Sequence, residues 1–120
     1  MKVAIFTRDK EEYTMLKDVL KNCVWENKLS LQADWFVDHI RLQEKYDMAV
    51  VSFDGAYGLE TVVGIKECWK DIRVIWISQD KYFAASAMRY KVDDFIVRPI
   101  SVTRFKEAVL WCFQSIYGHI

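Results

Sequence analysis

The chain has 120 residues, 52% of them hydrophobic, with 17 Lys+Arg against 17 Asp+Glu. That length allows one domain with one core, the apolar content excludes disorder, and the zero net charge removes the electrostatic case for non-specific nucleic-acid binding. No apolar run reaches the ~18 residues of a membrane span or forms a signal peptide, and the widely spaced Cys23, Cys68 and Cys112 frame neither a disulfide set nor a metal site. Reduced thiols in a cytoplasmic domain are therefore expected.

In chain order, Lys2–Phe6 is a short β-rich apolar run. Asp9 can cap a following helix, in which Tyr13, Leu16, Leu20 and Cys23 recur at helical spacing. Leu31–Phe36 alternates weakly and reads as a second strand, and His39–Lys45 as at most a short helix. Asp47–Phe53 is apolar on both faces, as a buried parallel strand should be. Asp54–Gly58 reads as a loop, and Leu59, Val62, Val63, Lys66 and Cys68 as a helix after it. Ile72–Ser78 is a fourth strand, Lys81–Tyr90 a helix, Asp94–Val97 a fifth strand and Val102–Tyr117 a long final helix capped by Ser101. Strands and helices alternate five times without a linker or repeat. That pattern implies one α/β domain over residues 1–120, built as a doubly wound five-stranded parallel sheet. Trp25 and Trp35 are assigned to its core.

In such a sheet the C-terminal strand ends line the ligand crevice. Here they present Thr7 and Arg8, then Ser52 to Asp54, then Ser78 to Asp80, and finally Arg98 followed by Pro99. A phosphate loop for a flavin or dinucleotide needs glycine or hydroxyl groups after the first strand, and Thr7-Arg8-Asp9-Lys10-Glu11-Glu12 has no glycine. His39 and His119 are isolated and read as surface residues.

These landmarks, strongest in Ile72–Ser78, Tyr82-Phe83-Ala84-Ala85 and Arg89–Ser101, resemble the receiver domain of two-component response regulators, with its CheY-like, flavodoxin-like fold. The wording of the last stretch, with the opening Met1-Lys2-Val3-Ala4-Ile5, is similar to receivers of the LytTR (LytR/AlgR) branch. Receivers of that branch normally precede a DNA-binding domain, and no such element lies within these residues. The resemblance implies two acidic residues after the first strand, a phospho-accepting Asp after the third, a Ser or Thr after the fourth and a Lys before a cis proline after the fifth. Three of those carboxylates would hold Mg²⁺, a hard cation that requires oxygen ligands.

Carried across residue by residue, the acidic pair falls on Thr7 and Arg8, the acceptor on Ser52, the hydroxyl on Ser78 and the lysine on Arg98, beside Pro99. The expectation is a degenerate receiver with its metal site lost, no cofactor and no enzymatic activity, acting as a protein-interaction module. Two alternatives stay open: a relocated acceptor at Asp54 using Mg²⁺, and an anion-responsive pocket formed by Arg8 and Arg98. Against the second, Arg8 and Arg98 are either neutralised by Asp9, Asp54 or Asp80 or simply extend into solvent. Gln79 stands where the family prefers a small residue.

The resemblance also places the family's switching aromatic on Phe95, whose ring, lacking a hydroxyl, is expected to stay inward. It further implies an output and dimer face over the fourth helix, fifth strand and last helix, here carrying Tyr82, Phe83, Tyr90, Phe95 and Trp111. In the last helix, Val102, Phe105, Val109, Cys112 and Ile116 form the core stripe. Leu110, Trp111, Phe113 and Tyr117 are surplus to it, either for a partner, such as a second copy, or for local packing.

Overall fold

Alternating apolar residues in five short segments build the sheet of the computed structural model, which describes residues 1–118. The strands are β1 (Lys2–Phe6), β2 (Gln32–Phe36), β3 (Met48–Val51), β4 (Arg73–Ser78) and β5 (Asp94–Val97), all parallel in the order β2-β1-β3-β4-β5. Because side chains alternate across a strand, Val3 and Ile5 enter one core and Ala4 and Phe6 the other. The first core is closed by α1 (Lys10–Glu26) and α4 (Val102–Tyr117), which contribute Leu16, Leu20, Phe105 and Val109. The second is closed by α2 (Gly55–Cys68) and by α3 (Ala84–Arg89), which follows a 3₁₀ turn over Lys81–Phe83. This is the expected doubly wound α/β sheet.

Caps fix where the helices begin. Asp9 accepts from the amides of Glu11 (2.9 Å) and Glu12 (3.3 Å), Asp80 from Tyr82 (2.9 Å) and Ser101 from Arg104 (3.1 Å). The Arg98-Pro99 bond is cis.

Four sequence expectations are corrected. Residues 39–45 form no helix; Leu42 in the segment and Tyr46 just after it are the buried anchors, and the Tyr46 hydroxyl donates to Asp34 (2.6 Å). The second long helix begins at Gly55 instead of Leu59, so the expected loop is its first turn. Trp25 is 79% exposed at the end of α1, and Trp35 lies flat on Tyr13 at the rim with ring centroids 4.5 Å apart. In α4, Phe113 joins the core while Val102 faces solvent, because the helix turns its buried stripe toward α1.

Trp76 in β4 is the largest fully buried side chain. Its indole Nε1 donates to the Phe53 carbonyl (2.9 Å) at the end of β3. Gly58 makes room for this contact: a Cβ there would collide with the Phe53 carbonyl oxygen and come within 2.7 Å of Trp76 Nε1. Gly58→Ala is expected to destabilise the fold by roughly 2 kcal/mol, overpacking outweighing the ~1 kcal/mol gain in helix propensity. Urea titration measures this, and an unchanged midpoint would mean that α2 slides without cost.

Cys23 and Cys112 are buried and Cys68 is exposed. Burial pushes the Cys23 thiol up and that of Cys112 to about 12. Native protein should therefore be alkylated once, at Cys68, and at all three thiols only after unfolding, as mass spectrometry would read. Both buried thiols have folded values above the ordinary 9.0, so the stability they contribute is present below that pH and is lost as pH rises toward about 12.

Candidate functional site

The strand ends meet the first turn of α1 around an open pocket of about 490 Å³, lined among others by Thr7, Arg8, Ser52, Asp54, Gln79 and Arg98. β1, β3 and β5 deliver Thr7, Ser52 and Arg98 from their C-terminal ends. The residue that organises the pocket is Glu12, which the sequence reading left out of the site. It stands at the third position of α1, where a capping-box glutamate would reach back to the cap residue's own amide. Here the Asp9 amide donates to Thr7 Oγ1 instead (3.2 Å), and the Glu12 carboxylate turns into the pocket.

Arg98 Nη1 donates to Glu12 Oε2 at 2.8 Å, and Nη2 donates to Ser52 Oγ at 2.5 Å. Ser52 Oγ in turn donates to Glu12 Oε1, which also accepts from Thr7 Oγ1 at 3.0 Å. The side chains of Arg98 and Glu12 are only 20% and 15% exposed, so water screens their charges weakly. Thr7, Ser52, Glu12 and both Nη groups of Arg98 are hydrogen-bonded within the cluster.

The expected pairing of the two arginines is corrected. Arg8 meets none of Asp9, Asp54 or Asp80; its guanidinium turns outward to Asp38 (3.0 Å) and lies 4.7 Å above the Tyr57 ring. The Asp38 hydrogen bond raises its already high pKa. A planar, weakly hydrated guanidinium favours such an aromatic face, which explains why it leaves the strand end. Arg98 touches the loop carboxylate Asp54 only at 3.8 Å, through Nε, and its main partner is Glu12 on α1. The two guanidinium groups therefore do not converge on one point.

Asp54 is exposed and accepts from the Gln79 amide at 2.8 Å, joining the loops after β3 and β4. Ser78 is fully buried, and its hydroxyl accepts from the Asp80 amide (3.2 Å). It is engaged in its own turn and does not line the pocket. Pro99 is exposed beside Arg98.

Behind the pocket, Phe95 is turned inward, its ring edge-on to Trp76 with centroids 5.1 Å apart, and Phe83 packs on the same indole at 5.8 Å. Of the five residues assigned to an interaction face, Phe83, Phe95 and Tyr90 are half-buried and packed against the second core. Tyr82 and Trp111 are exposed, at 83% and 58%, and Met88 beside α3's end is 79% exposed. His39 is exposed as expected, whereas His119 lies outside the described residues.

Solved structures of the same architecture set this geometry in context. The response regulatory domain of protein mrkE from Klebsiella pneumoniae superimposes with a TM-score of 0.79 at 16% identity, covering 99% of this chain and 100% of that one. This is the receiver fold. An orphan response regulator of H. pylori shares it with a TM-score of 0.73 at 20% identity, over 93% of this chain and 95% of that one. So does the response regulator TrrA from Thermotoga maritima, solved in complex with Mg²⁺-BeF, at 0.67 and 16%, over 92% and 97%. No family model and no curated protein sequence matches the chain. Within the receiver fold, the Glu12–Ser52–Arg98 cluster occupies the crevice at the C-terminal strand ends.

Replacing either Glu12 or Arg98 by Ala is expected to cost roughly 2–3 kcal/mol, below the 3–5 of a fully buried pair because both retain some solvent contact. Removing both should cost less than the sum of the single losses, since neither charge is then stranded. A double-mutant cycle in urea checks this; strictly additive losses would show that the pair is not coupled.

Proposed function

We propose that this chain is an atypical receiver-fold signalling module that works through protein contacts and without conventional aspartyl phosphorylation. The observation that carries this reading is the Arg98–Glu12 ion pair closed over Ser52 at the place where the fold's aspartyl chemistry would sit. The donor set also counts against Mg²⁺ there. Thr7 and Ser52 offer neutral hydroxyls, and Glu12, the carboxylate beside them, is held by a guanidinium. Mg²⁺ favours a near-octahedral shell of oxygens that includes free carboxylates. The Mg²⁺-BeF complex of the Thermotoga maritima TrrA is the contrasting case on this fold.

Three further features agree with an interaction role. Phe95 is held inward on Trp76, where the resemblance places a mobile aromatic. Tyr82, Met88 and Trp111 leave large apolar surface exposed on α4 and around α3, beside strand β5 at the sheet edge. We assign that face to a protein partner or a second copy of the chain, place the protein in the cytoplasm, and read its similarity to the LytTR branch as a link to transcriptional control through protein contact. No helix among the described residues is long and apolar enough to cross a membrane. An anion-responsive pocket using both arginines is less favoured, because Arg8 is turned out to Asp38.

The test is incubation with acetyl phosphate and Mg²⁺, followed by mass analysis with and without hydroxylamine, which cleaves acyl phosphates. No hydroxylamine-labile adduct is expected. A stoichiometric, Mg²⁺-dependent one that maps to Asp54 would overturn the proposal and establish a relocated aspartyl acceptor.

A further inference from the structure

Parallel strands are usually joined by a helical crossover, but residues 37–47, between β2 and β3, form no helix. Leu42 and Tyr46 pin this segment to the second core, and between it and the last turns of α2 lies a groove of about 810 Å³. It is larger than the 490 Å³ crevice, shares no lining residue with it and has the size of a small-molecule site. Its walls are apolar at Leu42 and Ile65 and flat at two rings. The His39 imidazole lies against Gly64, where an added Cβ would stand 3.2 Å from Cε1, and the His39 amide donates to the Tyr57 hydroxyl at 2.5 Å. Trp69, just past the end of α2, supplies the second ring.

Two donors at this groove lack an acceptor. Trp69 Nε1 is the one buried side-chain nitrogen or oxygen among the described residues with no hydrogen-bond partner. Buried indole N–H groups usually find one, so this exception calls for an acceptor that the folded chain does not supply. Arg41, exposed on the facing segment, forms no ion pair among the described residues. A carboxylate serves both, taking a charge-assisted pair from the guanidinium and a hydrogen bond from the indole. A phosphate would call for a second cation, whereas the other charged residue on this rim is Glu67. The flat and apolar walls suit a planar apolar body behind the anion.

We infer that the groove between residues 39–43 and the end of α2 binds a small aromatic carboxylate, its anion held by Arg41 and Trp69 Nε1 and its ring between the apolar walls. The indole N–H is closed off from solvent, so the ligand meets it as the ring turns in place. Trp69 also borders a neighbouring cavity of about 340 Å³, which leaves the ring room to do so. Binding therefore reports on that one proton.

The experiment titrates the isotope-labelled full chain with benzoate and with naphthoate and follows the tryptophan indole N–H resonances by NMR. The Trp69 signal is the one missing from Trp69→Phe. A saturable shift of that signal is expected, together with slower alkylation of Cys68 on the same rim and no response to neutral benzamide. Arg41→Ala weakens binding at least ~10-fold, the loss of one charge-assisted hydrogen bond, and Glu67→Gln, which removes a like charge, tightens it. Both side chains are exposed, so neither variant threatens folding. The inference is overturned if the Trp69 signal moves with neither carboxylate, which would leave water as that donor's partner. It is equally overturned if benzamide shifts the signal as much, or if Arg41→Ala leaves the affinity unchanged. Binding of benzylamine instead, lost in Glu67→Gln, would assign the groove to a cation and overturn it as well. None of these results bears on the chemistry of the Glu12–Ser52–Arg98 crevice.

Discussion

The ion pair between Arg98 and Glu12 joins parts of the chain separated by 86 residues, the end of the last strand and the first turn of the first helix. Two charges that are four-fifths buried are costly to desolvate, and their attraction repays this only when every remaining donor and acceptor is matched. Here the matching is done by Thr7, Ser52 and the two-pronged guanidinium. The pair contributes geometry more than net stability. It ties the first turn of α1 to the end of β5 and holds Arg98 in the crevice.

A second constraint lies on the opposite face of the sheet. Trp76 fills the space between α2 and α3, and its indole N–H is satisfied by the backbone at the end of β3. Phe95 and Phe83 pack on it in edge-to-face contact, which favours their inward orientation. The large ring leaves room for α2 only because Gly58 carries no side chain at the crossing point. The same contact thus packs α2 against the end of β3, next to the loop that presents Asp54.

The two constraints together describe a receiver-fold crevice rebuilt around neutral hydroxyls and one internal carboxylate. A pocket lined by several free carboxylates repels itself and is relieved by a divalent cation. In this pocket the Glu12 carboxylate is paired with the Arg98 guanidinium, while Asp9, Asp54 and Arg8 also line it. The exposed aromatic and sulfur-bearing residues around α3 and α4 are then the natural place to test for the contacts of the proposed function.

The sequence by itself determined the fold. Apolar runs of four to six residues, three of them followed by the caps Asp9, Asp80 and Ser101, specify alternating strands and helices, and burial on both faces specifies parallel pairing. It also determined which residues reach the strand ends, because Thr7, Ser52 and Arg98 occupy fixed register positions. Side-chain partners over long separations are not carried by local pattern. Glu12 was legible only as a helix-start residue, and its diversion into the pocket depends on where β5 places Arg98. Arg8 was expected to face a loop carboxylate, but the aromatic rings of Phe53 and Tyr57 and the carboxylate of Asp38 converge on it only after folding. Val102, assigned to the core stripe, is exposed, and Phe113, left between a partner and local packing, is buried, because helical periodicity defines a stripe without saying which rotation the neighbouring helix selects. Local pattern encodes period and capping; tertiary packing alone decided how the charges in the crevice are paired.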